Sequence, residues 1–179
     1  MMSKKGDNLS AYERNRLFLN HDGKAFVDAS FTSSVDIDSD SRSAIGADFN
    51  NDGYPDLLVG SVGGGPVRLF SNRFPKEMNF VLLDLVGKES NRLAIGCRIV
   101  AECSHRRIVR DFFPANGFMG QGPSQLHVGV GTAKKIDRLT IRWPSGRSQE
   151  LANLPVCGRV TITEGDEDYQ FSEMSKPSE

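Results

Sequence analysis

Short apolar and β-branched runs, each closed by a turn signal, recur along the whole chain, and no window of about a dozen residues sustains the 3.6-residue apolar period of an amphipathic helix. The runs fall at 16–20, 56–59, 67–70, 79–86, 97–103, 107–113, 125–130, 136–143 and 159–163. Between them stand His21-Asp22-Gly23, Asn51-Asp52-Gly53, Gly63-Gly64-Gly65-Pro66, Gly120-Gln121-Gly122-Pro123 and Pro144-Ser145-Gly146, which supply the residues that a positive or fixed φ requires. The pattern predicts an all-β chain with little helix.

One internal repeat adds to this. Arg16-Leu17-Phe18-Leu19-Asn20 returns as Arg68-Leu69-Phe70-Ser71-Asn72, an offset of 52 residues, close to the length of a propeller blade. Propellers close with about four to eight blades, and only one full period fits before the pattern changes near Asn79, so an incomplete propeller-type repeat is expected. Its free edge and open face need cover from the C-terminal half, a second copy, or further blades of a longer chain. We divide the chain into a repeat over 12–74 and a small β-sandwich or barrel over 78–166, with the boundary at Arg73-Phe74-Pro75-Lys76.

At 179 residues the chain fits one domain or two small ones, and 22 Lys and Arg against 23 Asp and Glu leave a net charge of −1. Nothing global therefore recruits nucleic acid or an anionic membrane. No stretch approaches the roughly 18 apolar residues of a membrane span, and the first residues carry charge but no signal-peptide apolar run, so the chain reads as soluble as written. Cys97, Cys103 and Cys157 read as structural thiols: the first two lie on one expected strand, about 20 Å apart and beyond bridging distance. Residues 172–179, polar and bearing Lys176-Pro177, read as a frayed tail.

The segment that carries chemistry is Asp48-Phe49-Asn50-Asn51-Asp52-Gly53-Tyr54-Pro55-Asp56. Oxygen side chains at positions 1, 3, 5 and 9 converge only if the chain wraps tightly, and Gly53 at position 6 permits that turn. Calcium takes about six to eight oxygens at about 2.3–2.6 Å, which Asp48, Asn50, Asp52, Asp56, the Tyr54 carbonyl and water could supply. A helical EF-hand is excluded because Val59 occupies position 12, where a bidentate acid belongs, and the flanks read as strands. The bland reading is that these Asp and Asn residues merely make turns. Upstream, Asp36, Asp38 and Asp40 lack a following Gly and read as a solvated loop with Arg42 as internal partner.

Other candidates are weaker. His127 sits on an alternating segment with no specified nucleophile or orienting acid and reads as a structural histidine. Ser104-His105-Arg106-Arg107 with Arg110 reads as a basic hairpin turn that could hold an anionic polysaccharide. Trp143 reads as an aromatic pinning its turn rather than a sugar-stacking platform. Gly129-Val130-Gly131 lacks the third glycine of a dinucleotide loop, so nucleotide binding is not expected.

Arg16-Leu17-Phe18 with Asn20, Phe26 with Asp28, Asp40-Ser41-Arg42, and Asp48-Phe49-Asn50-Asn51-Asp52-Gly53 with Asp56-Leu57 resemble a VCBS or FG-GAP type repeat, the calcium-loop blade of integrin-like propellers. Beyond them, Asn79-Phe80, Leu85 with Gly87, Ser90-Asn91-Arg92 with Ala94-Ile95-Gly96, Gly117-Phe118, Gly120-Gln121, Leu126-His127-Val128-Gly129-Val130-Gly131, Ile136-Asp137, Trp143-Pro144-Ser145-Gly146 and Glu164-Gly165 resemble the ASPIC/UnbV domain of cartilage acidic protein-like and bacterial proteins. Cys97 stands where that family usually has Ala, and Val128 and Val130 replace larger residues.

The resemblance implies extracellular or cell-surface, calcium-dependent binding or adhesion toward a protein or glycan, without an established reaction, and a calcium site at Asp48, Asn50, Asp52, Tyr54 and Asp56. The expectation is a non-enzymatic interaction module, free to form a homo-oligomer or to pack against further blades. Two alternatives stand beside it. One is an accessory protein or enzyme of carbohydrate or secondary metabolism, which would need His127 to converge with Asp111 or Asp137. The other is a cap that closes the open edge of a larger assembly.

Overall fold

The computed structural model describes residues 13–21, 23–62, 65–73, 78–115 and 117–174, and among them every regular element is a strand. The boundary segment at Phe74-Pro75-Lys76 lies outside the described residues, as do Asp22, Gly63, Gly64 and residues 175–179.

In the first half, β1 (Phe18–His21) and β2 (Ala25–Asp28) form an antiparallel hairpin. Asn20 Oδ1 accepts the Gly23 amide at 2.8 Å, and Gly23 takes φ +71°, the left-handed conformation this turn requires. A second sheet runs in the order β3 (Ser41–Ala47), β4 (Asp56–Ser61), β5 (Arg68–Phe70), all antiparallel. The repeated Arg-Leu-Phe segments thus both lead into strands, β1 and β5, and neither sheet closes. The hairpin is exposed along its whole length, with Phe18 at 55% and Phe26 at 71% of full exposure. In the loop before β3, Arg42 Nε meets Asp40 at 2.9 Å as expected, while Asp36 is held by Arg14 instead.

The second half is a sandwich of two four-stranded sheets. One has the order β11 (Ser148–Pro155), β10 (Lys135–Arg142), β7 (Arg98–Cys103), β8 (Arg106–Asp111), and the other β13 (Tyr169–Glu173), β12 (Gly158–Thr163), β6 (Asn79–Val86), β9 (Leu126–Gly131). Alternation explains the packing: Val81, Leu83 and Leu85 of β6 face Ile99 and Ala101 of β7 and Leu139 and Ile141 of β10 in one shared core, each at most 6% exposed. All pairings are antiparallel except β6 with β12, which run parallel. Trp143 is 3% exposed at the core's edge, its Nε1 donating to Gln149 Oε1 at 3.0 Å, as its turn position suggested.

Four strands lie outside the runs read from sequence. β2 is only four residues long, β11 breaks its alternation between Leu151 and Leu154, and β3 is rich in Ser, Gly and Ala, so it read as strand only as the loop's flank from residue 43. The fourth is β13, which corrects the frayed tail: Ser172 and Glu173 pair with Arg159 and Gly158 of β12, carrying the sheet past residue 166. The cysteines are free, with Cys97 and Cys103 buried. Burial, helped by nearby Glu164, raises the Cys97 thiol to about 12, and burial raises Cys103 as well. A thiolate is the reacting species, so alkylation of the folded protein at pH 8 is expected to leave both unlabelled while Cys157 reacts; labelling of Cys97 ahead of Cys157, read by peptide mass mapping, would contradict this core.

Candidate functional site

The loop between β3 and β4 begins where Ala47 pairs with Asp56. Its turn is built by its own side chains. Asp48 accepts the Asp52 amide at 3.1 Å through Oδ1 and the Gly53 amide at 2.8 Å through Oδ2, while Asn50 Oδ1 accepts the Asp52 amide at 3.0 Å. Asp52 Oδ1 accepts the Tyr54 amide at 2.9 Å, and its Oδ2 accepts the Asn50 side-chain amide at 2.9 Å. Asp56, 2% exposed, ties the loop's two ends to the sheet through the Phe49 amide at 3.2 Å and the Asn72 amide at 2.8 Å. Asn51 and Gly53, at φ +58° and +88°, make the reversal.

The loop's hydrogen bonds place Asp48, Asn50 and Asp52 on one turn, with Asp56 at its base. Among the described residues no Lys or Arg forms an ion pair with Asp48, Asp52 or Asp56. Nor do three or more His, Cys, Asp or Glu side chains gather there as a ready metal centre, the carboxylates being turned toward backbone amides. By chemistry the donor set suits a hard cation: anionic and amide oxygens in the order Asp48, Asn50, Asp52, the Tyr54 carbonyl and Asp56, with no sulfur or imidazole among them.

The loop does not stand free. Gly53 lies against the Phe80 ring so closely that a β-carbon would overlap it, and its carbonyl accepts from His127 Nε2 at 2.8 Å. Tyr54 Oη donates to the Met78 carbonyl at 3.1 Å. Phe80 stacks on His127, with ring centroids 5.7 Å apart and planes 13° off parallel, and meets Tyr54 at 6.3 Å. Phe80 and Leu82 belong to the outer face of β6, yet each is only 2% exposed, because the first half covers them. Burial lowers the His127 pKa, against the upward pull of the Gly53 carbonyl and Asp48. Nearby, Gly117 lies against the Ala44 carbonyl and Gly120 against Ser43 and Ile45 of β3, covering part of that edge.

Beside this contact a cleft of about 260 Å³ lies between the halves, with Ile45, Asp48 and Pro55 on one wall and Leu82, Phe113 and His127 on the other. Asp111 also lines it, but its carboxylate is forked onto Arg98 at 2.6 and 2.8 Å. Asp137 binds the Ser104 amide at the basic hairpin's turn. The His127 contact is thus with the loop carbonyl, and neither Asp111 nor Asp137 orients its ring. In the sequence His127 reads as structural but its partner Gly53 does not show, and Phe80 stands there as a family residue with no link to the loop. A signal was present: the unbroken run Phe80-Val81-Leu82-Leu83 is what a strand covered on both faces looks like.

Residues 41–70 match the FG-GAP repeat family and residues 87–168 match the ASPIC and UnbV family. No curated protein matches the chain. The fold and these matches define a β-rich module built from two recognised domain types. The chain carries an FG-GAP repeat followed by an ASPIC and UnbV domain, the arrangement its motifs resemble.

Proposed function

We propose that the chain is a non-enzymatic, calcium-stabilised interaction module of the cell exterior, whose loop at Asp48, Asn50, Asp52, Tyr54 and Asp56 holds the ion and so orders a surface for a protein or glycan partner. The observation that carries the reading is a set of three carboxylates on one nine-residue loop with no basic side chain paired to any of them among the described residues. Carboxylates that share so small a volume repel one another, and a divalent cation removes that cost. Asp48, Asn50 and Asp52 would supply side-chain oxygens from the turn, Asp56 a carboxylate from its base, and Tyr54 its carbonyl. Calcium supplies charge neutralisation and cross-linking of the loop.

The test is thermal unfolding of the wild type and Asp52→Ala, each with calcium and with chelator. A ligand at about a hundred times its dissociation constant adds about 2.7 kcal/mol, so calcium is expected to raise the wild-type midpoint by about 5–10 °C and Asp52→Ala to lose that rise. If the wild type melts at the same temperature in calcium and in chelator, the loop is a turn and the proposal fails.

A further inference from the structure

Resting on the calcium reading, we propose that the β-sandwich is a working part of the loop's cation site, with His127, Phe80 and the Met78 carbonyl positioning Gly53 and Tyr54 so that calcium affinity belongs to the two halves together.

The peptide units around Gly53 are fixed from both sides. Its amide is held within the loop by Asp48 Oδ2 at 2.8 Å, and its carbonyl is held across the domain boundary by His127 Nε2 at 2.8 Å. A carbonyl has no hydrogen to give, so Nε2 carries the proton and donates. The Phe80 ring fills the space a side chain at position 53 would need, which leaves glycine as the residue that fits. Tyr54, the proposed backbone donor to the cation, is clamped next to it, its amide on Asp52 Oδ1 at 2.9 Å and its hydroxyl on the Met78 carbonyl at 3.1 Å. The second domain thus holds one peptide unit in the middle of the ligand sequence, through the Gly53 carbonyl, and the side chain of Tyr54 next to it.

A cation site gains affinity when its ligands are ordered beforehand, because binding then costs less conformational freedom. In an isolated repeat, Gly53 would be free to sample the many backbone conformations open to glycine. Docking removes that freedom. By linkage, calcium must in turn tighten the contact between the two domains by the same factor as the contact tightens calcium.

Titration calorimetry of the whole chain with calcium chloride tests this on the wild type, His127→Leu, His127→Gln and Tyr54→Phe. Loss of one intramolecular hydrogen bond is expected to weaken calcium about three- to tenfold in His127→Leu, with Gln, which keeps an N–H donor, restoring most of the affinity. The near-ultraviolet circular dichroism of Trp143, buried in the sandwich, should not change in these variants. If His127→Leu fails to fold, Tyr54→Phe decides, because it removes the hydroxyl on Met78 and keeps the ring. Equal calcium affinity in the wild type and the folded variants would overturn the positioning role and leave the calcium loop standing. No calcium binding by the wild type would overturn both.

Discussion

Gly53→Ala is expected to cost about 2–5 kcal/mol, the sum of a left-handed backbone at an L-residue and an overpacked contact. The residue sits at φ +88°, and its α-carbon lies against the Phe80 ring with no space between them for a methyl group. The strain falls on the seam between the domains. Urea unfolding of Gly53→Ala should therefore show the first half released while Trp143 still reports a folded sandwich, and limited proteolysis should cut the 41–62 region first. Phe80→Ala in the same chain opens the missing space, so the double variant should be less destabilised than the two single costs added together. Wild-type stability in Gly53→Ala would mean that the loop does not sit on β6 as described.

The second large effect is expected at Glu164. This carboxylate is 2% exposed and gathers the amides of Lys88, Glu89 and Ser90 on Oε2 at 2.7–2.9 Å, with the Ser90 and Ser145 hydroxyls on Oε1 at 2.9 and 2.6 Å. It thereby pins the loop after β6 to the turn that follows Trp143. Burial alone would raise its pKa, but the Ser145 hydroxyl and the Ser90 and Lys88 amides outweigh it and hold the group at about 2, below the ordinary 4.5. A carboxylate depressed on folding adds stability above its unfolded pKa. That stability is then lost as pH falls from about 4.5 toward about 2, because the unfolded chain takes up the proton first. Glu164→Gln replaces one acceptor oxygen by a donor facing other donors and is expected to cost about 3 kcal/mol at pH 7. Denaturant midpoints measured between pH 6 and 3 should fall less steeply in Glu164→Gln than in the wild type; parallel slopes would show that the group contributes nothing to acid sensitivity.

Strands whose side chains alternate over a hydrophobic face were legible in the sequence. The expected run at 79–86 coincides with β6, and those at 136–143 and 159–163 lie within a residue of β10 and β12. The turn at Asp48, Asn50 and Asp52 was legible too, because short polar side chains bonding to the backbone two to five residues on are a local device, written wholly in one segment. What could not be read was anything that depends on a partner far along the chain. Gly53 and His127 meet across 74 residues, as do Ser90 and Glu164, and no local pattern announces either pair. β13 was missed for the same reason: Tyr169–Glu173 carries little apolar signal of its own and becomes a strand because β12 offers an unpaired edge.

The parallel pairing of β6 with β12 has a consequence for how the protein is made. β6 is the central strand that receives Gly53 on its outer face, and its antiparallel neighbour β9 ends at Gly131, so the surface for the loop is complete once that residue has left the ribosome. The other flank of β6 stays open until residues 158–163 have been synthesised. Joining strands so distant in sequence is slow, since the ends of a long loop must meet before the contact repays them. During that interval the nascent chain exposes a central, apolar strand edge to its neighbours. The strand that closes this edge is therefore among the last parts of the chain to be made.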